Sequence, residues 1–196
     1  MSLPAIILAA GASRRLGQPK QLALVLGEML LARTIRVVRE SGAEPVIVVL
    51  GAHRESIMSG VDFSRVQVVT NHDWEQGIAS SIHAGIRSLQ QSGAKLAAVL
   101  LLVCDQPKLS MEHLRRLIAA HQEASEPTIV ASEYAGIAGI PAIFPGSQFG
   151  KLLMLQGDAG ARYILRKPDC PMVRIDFEGG EVDIDTPEDL AENSRG

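Results

Sequence analysis

Short aliphatic runs alternate along this chain with stretches whose apolar residues recur every three or four positions, and that alternation leaves few folds open. Residues 5–8, 45–50, 66–70, 96–103, 128–132, 141–144, 172–177 and 181–184 read as strands. Between them Leu31, Ile35 and Val38 share one helix face, as do Ile78, Ile82, Ile86 and Leu89, and then Leu114, Leu117, Ile118 and His121. Ser110 is placed to cap the third of these helices. Strand, helix and strand in succession make right-handed crossover units, so an α/β protein with parallel strands is expected. Composition agrees. Hydrophobic residues make up 46% of the chain but aromatics only 4%, so the core must be aliphatic, which suits strands covered on both faces.

The first strand opens into Leu8-Ala9-Ala10-Gly11-Ala12-Ser13-Arg14-Arg15-Leu16-Gly17-Gln18-Pro19-Lys20. Small residues followed by cations, just past a buried strand, make a place to hold an anion. Gly11 and Gly17 let the backbone bend and turn its N–H groups toward phosphate oxygens. Arg15, a flat fork, and Lys20, a point charge, can then neutralise a polyphosphate. The spacing is not that of a Walker loop, because Gly17 is followed by Gln18, nor of a dinucleotide fingerprint, because Gly11-Ala12-Ser13 breaks it. The competing reading is a surface turn with solvated arginines.

Asp105 stands at the carboxyl end of the most hydrophobic run, where open α/β sheets bind ligands. A carboxylate there can hold Mg²⁺ together with substrate phosphates, or it can simply start the next helix. Asp185 follows the run at 181–184 and precedes Thr186-Pro187-Glu188-Asp189, a capping arrangement that accounts for Thr186, Pro187 and Asp189 but not for Asp185. The two carboxylates can share a cation if their strands lie side by side. Residues 71–81 give a polar loop and then a helix start, whose N–H groups can face a base, ribose or phosphate. Trp74 in that loop either covers a ligand or packs beneath it. After about residue 133 the rhythm changes to short strands, a helix over 149–155 and a second from Asp158. Gly157 then ends the first helix and Asp158 caps the second, with Arg162 one turn in and able to reach an anionic acceptor.

Other classes fit poorly. The net charge of −3 is mixed along the chain, without the basic field of a nucleic-acid binder. No apolar run approaches the ~20 residues that span a bilayer, so no membrane partner and a soluble, cytoplasmic protein are expected. Cys104 and Cys170 lie in no metal-binding spacing and read as buried thiols in a reducing compartment. The five histidines are isolated, and no Gly-x-Ser-x-Gly elbow is present. No linker or repeat divides the chain, so residues 1–196 are expected to form a single domain.

Taken in order, several segments resemble the MobA-like NTP transferases, in particular the molybdenum cofactor cytidylyltransferase branch. They are Leu8-Ala9-Ala10-Gly11-x-Ser13-x-Arg15-x-Gly17-x-Pro19-Lys20-Gln21-Leu22, then Asn71, Trp74, Gly77, Ser80 and Ser81, then Cys104-Asp105-Gln106-Pro107. Gly157-Asp158-x-Gly160-Ala161-Arg162 and Asp185-Thr186-Pro187-Glu188-Asp189-Leu190 complete the match, which runs nearly end to end. The resemblance implies a Rossmann-like three-layer α/β/α fold with a mostly parallel mixed sheet. It also implies Mg²⁺ and attack by a substrate phosphate on the α-phosphorus of an NTP. By that resemblance the N-terminal half holds the nucleotide through Leu8, Ala9, Ala10, Gly11, Ser13, Arg15, Lys20, Asn71, Gly77, Ser80 and Ser81. Arg15, Lys20 and Asp105 are the expected catalytic residues, and Asp105 and Asp185 the expected metal ligands.

The C-terminal half would take the acceptor through Gln106 and Arg162. Leu-Ala-Ala-Gly, with Ala10 third, looks like the cytidylyl branch, whereas the guanylyl branch usually reads Leu-Ala-Gly-Gly. CTP and the molybdenum cofactor are thus the implied partners, with a molybdoenzyme or its chaperone behind them. One departure stands out: Gly139-Ile140-Pro141 occupies the place where pterin-directed members often have Gly-His-Pro, which bears on the acceptor. The alternatives are transfer from GTP, another phosphorylated acceptor, or a carrier of nucleotide or cofactor without turnover. The presence of Arg15, Lys20 and Asp105 together favours catalysis, since a carrier has less need to hold a leaving group.

Overall fold

The computed structural model describes residues 3–91, 93 and 96–194. In chain order the strands and helices are β1 (Ala5–Ala9), β2 (Leu24–Val25), β3 (Glu28–Met29), α1 (Leu30–Glu40), β4 (Val46–Leu50), α2 (Arg54–Gly60), β5 (Gln67–Thr70), α3 (Ile78–Gln91) and β6 (Ala98–Val103). They continue with α4 (Met111–Glu123), β7 (Ile129–Tyr134), β8 (Ile137–Pro145), α5 (Phe149–Met154), α6 (Arg162–Arg166), β9 (Met172–Asp176) and α7 (Pro187–Asn193). Seven strands form one sheet in the order β5-β4-β1-β6-β8-β7-β9, and β2 pairs with β3 in a separate hairpin. Only β8 runs against the others: β6 and β7 both pair with it antiparallel, while every other ladder in the sheet is parallel.

Residues that alternate along each strand enter different cores. Ile7 and Ala9 of β1 meet Leu31, Ile35 and Val38 of α1 and Leu114 and Leu117 of α4 on one face. Ile6 and Leu8 meet Ala79, Ile82 and Ile86 of α3, Leu152 of α5 and Ile164 of α6 on the other. The result is a three-layer α/β/α arrangement, Rossmann-like in its central strands. Among the described residues no helix is long and apolar enough to cross a membrane.

Four expectations are corrected. The helix expected over 149–155 stops at Met154 and is capped by Leu155, so Gly157 does not end it. Residues 181–184 form no strand; in their place a turn and an extended segment run on to α7. The helix expected from Asp158 begins at Arg162, so Asp158 is not its cap and Arg162 is its first residue rather than one turn in. Cys170 is only half-buried, unlike Cys104.

What matters for function is the strand order. The chain leaves β1 toward β4 and β5 on one side, yet β6 lies on the other, so β1 and β6 flank a topological switch point. The crevice beyond their carboxyl ends is where such sheets receive ligands.

Candidate active site

At the carboxyl end of β1 the loop is closed by its own backbone. Ser13 adopts a left-handed conformation (φ 52°), as does Gly17 (φ 75°), and the Ser13 carbonyl accepts from the N–H groups of Leu16 at 3.1 Å and Gly17 at 3.2 Å. Ser13 Oγ accepts from Lys20 N at 3.1 Å. Gly11 has no left-handed φ; it faces open space, with nothing within 4 Å of where a Cβ would stand. The fully buried Gln21 ties the loop to the strand, its Nε2 donating to the carbonyls of Ala9 at 2.7 Å and Gly11 at 3.2 Å.

Asp105 lies two residues beyond β6, next to a Cys104 thiol whose pKa burial, and then Asp105, push up to about 12. Asp185 arrives from the far end of the chain. No strand carries it there: a single hydrogen bond does, from Ile184 N to the Asp105 carbonyl at 3.0 Å. A capping box then fixes the start of α7. Thr186 Oγ1 accepts from Asp189 N, and Asp189 Oδ2 accepts from Thr186 N at 2.8 Å and from Asp185 N at 3.1 Å.

These backbones bring three charges together. Lys20 Nζ lies 2.6 Å from Asp105 Oδ2 and 2.7 Å from Asp185 Oδ1. Burial opposes the Lys20 charge, but Asp105 and Asp185 outweigh it and hold its pKa above the usual lysine range. Arg15 sits outside, largely exposed, with Nη2 2.6 Å from Asp185 Oδ2. Sequence alone does not single out Asp183, whose carboxyl is pushed up to about 6 by burial and then by Asp105 and Asp185. It alternates with Asp185 along the chain, and that spacing is its only signal. The fit of a divalent cation can be judged from Asp105: its Oδ1 is buried without a hydrogen-bond partner among the described residues, while its Oδ2 and Asp185 already share an ammonium. Hard oxygen ligands around a cationic centre suit Mg²⁺ or Mn²⁺.

Two cavities meet at Asp105. One, of about 420 Å³, is lined by Leu8, Ala9, Ala10, Gly11, Ser13, Lys20, Gly77 and Ser81, among others. Asn71 and Ser80 are not on its wall. Asn71 is buried behind it, its Nδ2 donating to Ser80 Oγ at 2.8 Å and Ser81 Oγ at 3.0 Å, while the one Ser80 hydroxyl proton is shared between the Asp73 and Gly77 carbonyls. Trp74 both lines this cavity and packs against the second core.

The second cavity, about 380 Å³, holds Gln106, Tyr134, Ile140, Arg162 and Asp183 over an apolar floor of Ile82, Leu101 and Val103. Tyr134, which carries no signal in the sequence either, accepts from Arg162 Nη2 at 2.9 Å and donates to the Ile140 carbonyl at 3.1 Å. The guanidinium lies 5.6 Å from the Tyr134 ring centroid. Gln106 Nε2 braces the same wall, donating to the carbonyls of Gly180 at 2.8 Å and Ile140 at 3.2 Å.

A mixed α/β sheet with a lysine-bearing glycine loop facing acidic residues across its switch point defines a nucleotide-handling protein. The chain belongs to the MobA-like NTP transferase family, whose domain model matches residues 5–172. It is 30% identical to nicotine blue oxidoreductase of Paenarthrobacter nicotinovorans, covering 94% of this chain and 93% of that one. It is also 30% identical to the purine catabolism protein PucB of Bacillus subtilis, covering 94% and 92%. Rv0371c of Mycobacterium tuberculosis H37Rv superposes with a TM-score of 0.86 at 27% identity over 100% of both chains. A manganese complex of that protein gives a TM-score of 0.80 at 25% identity, again over 100% of both chains. The chain is a nucleotidyltransferase by family.

Proposed function

We propose that this chain moves CMP from CTP to the terminal phosphate of molybdopterin or molybdenum cofactor, with Mg²⁺, and releases pyrophosphate. The observation that carries this reading is the meeting of Lys20 with Asp105 and Asp185 where two cavities share a wall. In this proposal residues 1–196 act as one domain in the cytoplasm. Its N-terminal half holds the nucleotide and its C-terminal half the acceptor, and a molybdoenzyme or its chaperone takes the product.

The nucleotide lies over Leu8, Ala9, Ala10, Gly11, Ser13, Gly77 and Ser81, with Asn71 and Ser80 bracing the wall from behind. Gln106 and Arg162 face the acceptor. A phosphomonoester has a second pKa of about 6, so the acceptor is already a dianion and needs no general base. Its oxygen attacks the α-phosphorus, a new P–O bond forms, and the bond to the β-phosphate oxygen breaks with its electron pair leaving on pyrophosphate. Lys20 and Arg15 neutralise the departing charge. Asp105 and Asp185 would hold the metal, which when bound offsets the repulsion between the two phosphates. Leu8-Ala9-Ala10-Gly11 supports CTP, since the guanylyl branch has glycine at the third place.

A thermal-shift panel of CTP, GTP, ATP and UTP with Mg²⁺ tests the nucleotide. A ligand at about 100 times its Kd stabilises the fold by about 2.7 kcal/mol. For a chain of this length that is roughly 5–10 °C in Tm. The largest shift is expected with CTP. A larger one with GTP reassigns the base, and no shift with any of the four sinks the reading.

A further inference from the structure

Beside the acceptor cavity lies a larger groove of about 670 Å³, walled by α5, α6 and the segment between them. Its charged lining residues are Lys151, Arg166 and Lys167, with no acidic side chain among them. Lys151 is paired with Asp169. Arg166 and Lys167 have no ion-pair partner among the described residues. In a chain of net charge −3 this is a local concentration of positive charge. Its apolar residues are presented to solvent as well: Met154 is 71% exposed and Tyr163 69%. The groove is continuous with the acceptor cavity, because Tyr163 and Arg166 line both. The inner cavity, by contrast, carries Asp105, Asp158 and Asp183 in its lining, so an anionic acceptor meets favourable charge there only on the α6 side, at Arg162 and Arg166, from which the outer path leads on to Lys167.

We propose that the groove is a subsite for the far end of the acceptor, and that the acceptor is an elongated molecule with a second anionic group remote from the phosphate that receives the nucleotide. This rests on the acceptor lying in the cavity beside Asp105. The reactive phosphate sits near Arg162, an apolar or flat body lies along Tyr163 and Met154, and the distal anion reaches Arg166 and Lys167. Bidentate and point-charge contacts to that anion select acceptors by length as well as by charge.

Alkane-α,ω-diol bisphosphates of increasing chain length, each compared with its monophosphate by calorimetry, are suitable probes. At the length that spans both positions the bisphosphate is expected to bind at least tenfold more tightly than the monophosphate. In Lys167→Glu, a change at an exposed groove residue, that ratio is expected to fall to near the statistical factor of about two. A ratio independent of length, or one that survives Lys167→Glu, overturns the proposal. CTP binding measured on the same samples separates the two readings. If CTP binds and the ratio stays flat, only the groove assignment falls. If neither CTP nor any other NTP binds while the length-selective ratio holds, nucleotidyl transfer falls and an anion-binding groove remains.

Discussion

Lys20 keeps its charge in a largely buried position because Asp105 and Asp185 outweigh the cost of burial. Its ammonium bridges Asp105 and Asp185, so Lys20→Ala removes the proposed triphosphate contact and leaves two carboxylates without their shared cation. Pyrophosphate release by the purified variant should fall on the order of a hundred- to a thousandfold, the usual effect of losing one charge-stabilising donor, with the far-UV spectrum unchanged. Near-normal release would remove Lys20 from the chemistry. Tyr134→Phe makes a subtler change. The ring and its edge contact with Phe177 remain, and Gln106 still donates to the Ile140 carbonyl, so the fold should hold. Arg162 loses the oxygen that orients it. Hydrogen bonds to charged groups are worth about 1.5–3 kcal/mol, so the acceptor KM should rise roughly tenfold or more. An unchanged KM for the nucleotide distinguishes this positioning role from general loosening, and a parallel rise in both would refute it.

Among elements, the wall of the first cavity depends on how closely two loops approach. Gly77 has φ +95°, and a Cβ there would run into the backbone of Gly157 and meet Asp158 Oδ1 at 2.7 Å. The loops are also joined by a bond from Ala79 N to the Gly157 carbonyl at 3.1 Å. Gly77→Ala therefore strains the backbone and pries the loops apart, costing about 1–3 kcal/mol. A Tm lower by roughly 2–12 °C is expected, together with weaker nucleotide binding. An unchanged melting curve would show that the loops yield freely. The sequence disclosed elements according to how much each one buries. Strands such as Val46–Leu50, buried on both faces, and helices with a continuous apolar face were visible because burial dictates their residues. The β2–β3 hairpin is too short to show a period, and α2 buries little beyond Ile57. Residues 181–184 alternate as a strand would, but their role is to carry one backbone bond to Asp105. The lysine loop and Asp105 were legible as chemistry. Tyr134 and Asp183 were not, because their meaning depends on what the fold places opposite them.

For the molecule as a whole, the side of the sheet formed by β7 and β8 is anchored by a polar contact buried in an aliphatic core. His113 of α4 is 5% exposed, stacks on Phe177 at 4.3 Å, and lies with Nε2 2.7 Å from Ser132 Oγ of β7. Ser132 donates its hydroxyl proton to the Pro141 carbonyl of β8 at 2.6 Å, so Nε2 of the neutral ring carries the proton that Ser132 accepts. Burial, and then Arg116, lower the His113 pKa to about 4 against a weaker pull from the Asp176 carbonyl, and burial lowers His83 and His121 in the same direction. The unfolded chain therefore binds more protons than the folded one between about pH 4 and 6.5, and stability is lost as pH falls through that window. His113 alone accounts for about 3 kcal/mol of that loss. Urea unfolding at pH 7, 5.5 and 4.5 should show a midpoint that declines steadily. His113→Gln retains an N–H donor for Ser132 but cannot titrate, so its midpoint should start lower at pH 7 and decline less. An equally steep decline in the variant would place the acid sensitivity elsewhere than at this link between α4 and the antiparallel strand that carries Ile140 into the second cavity.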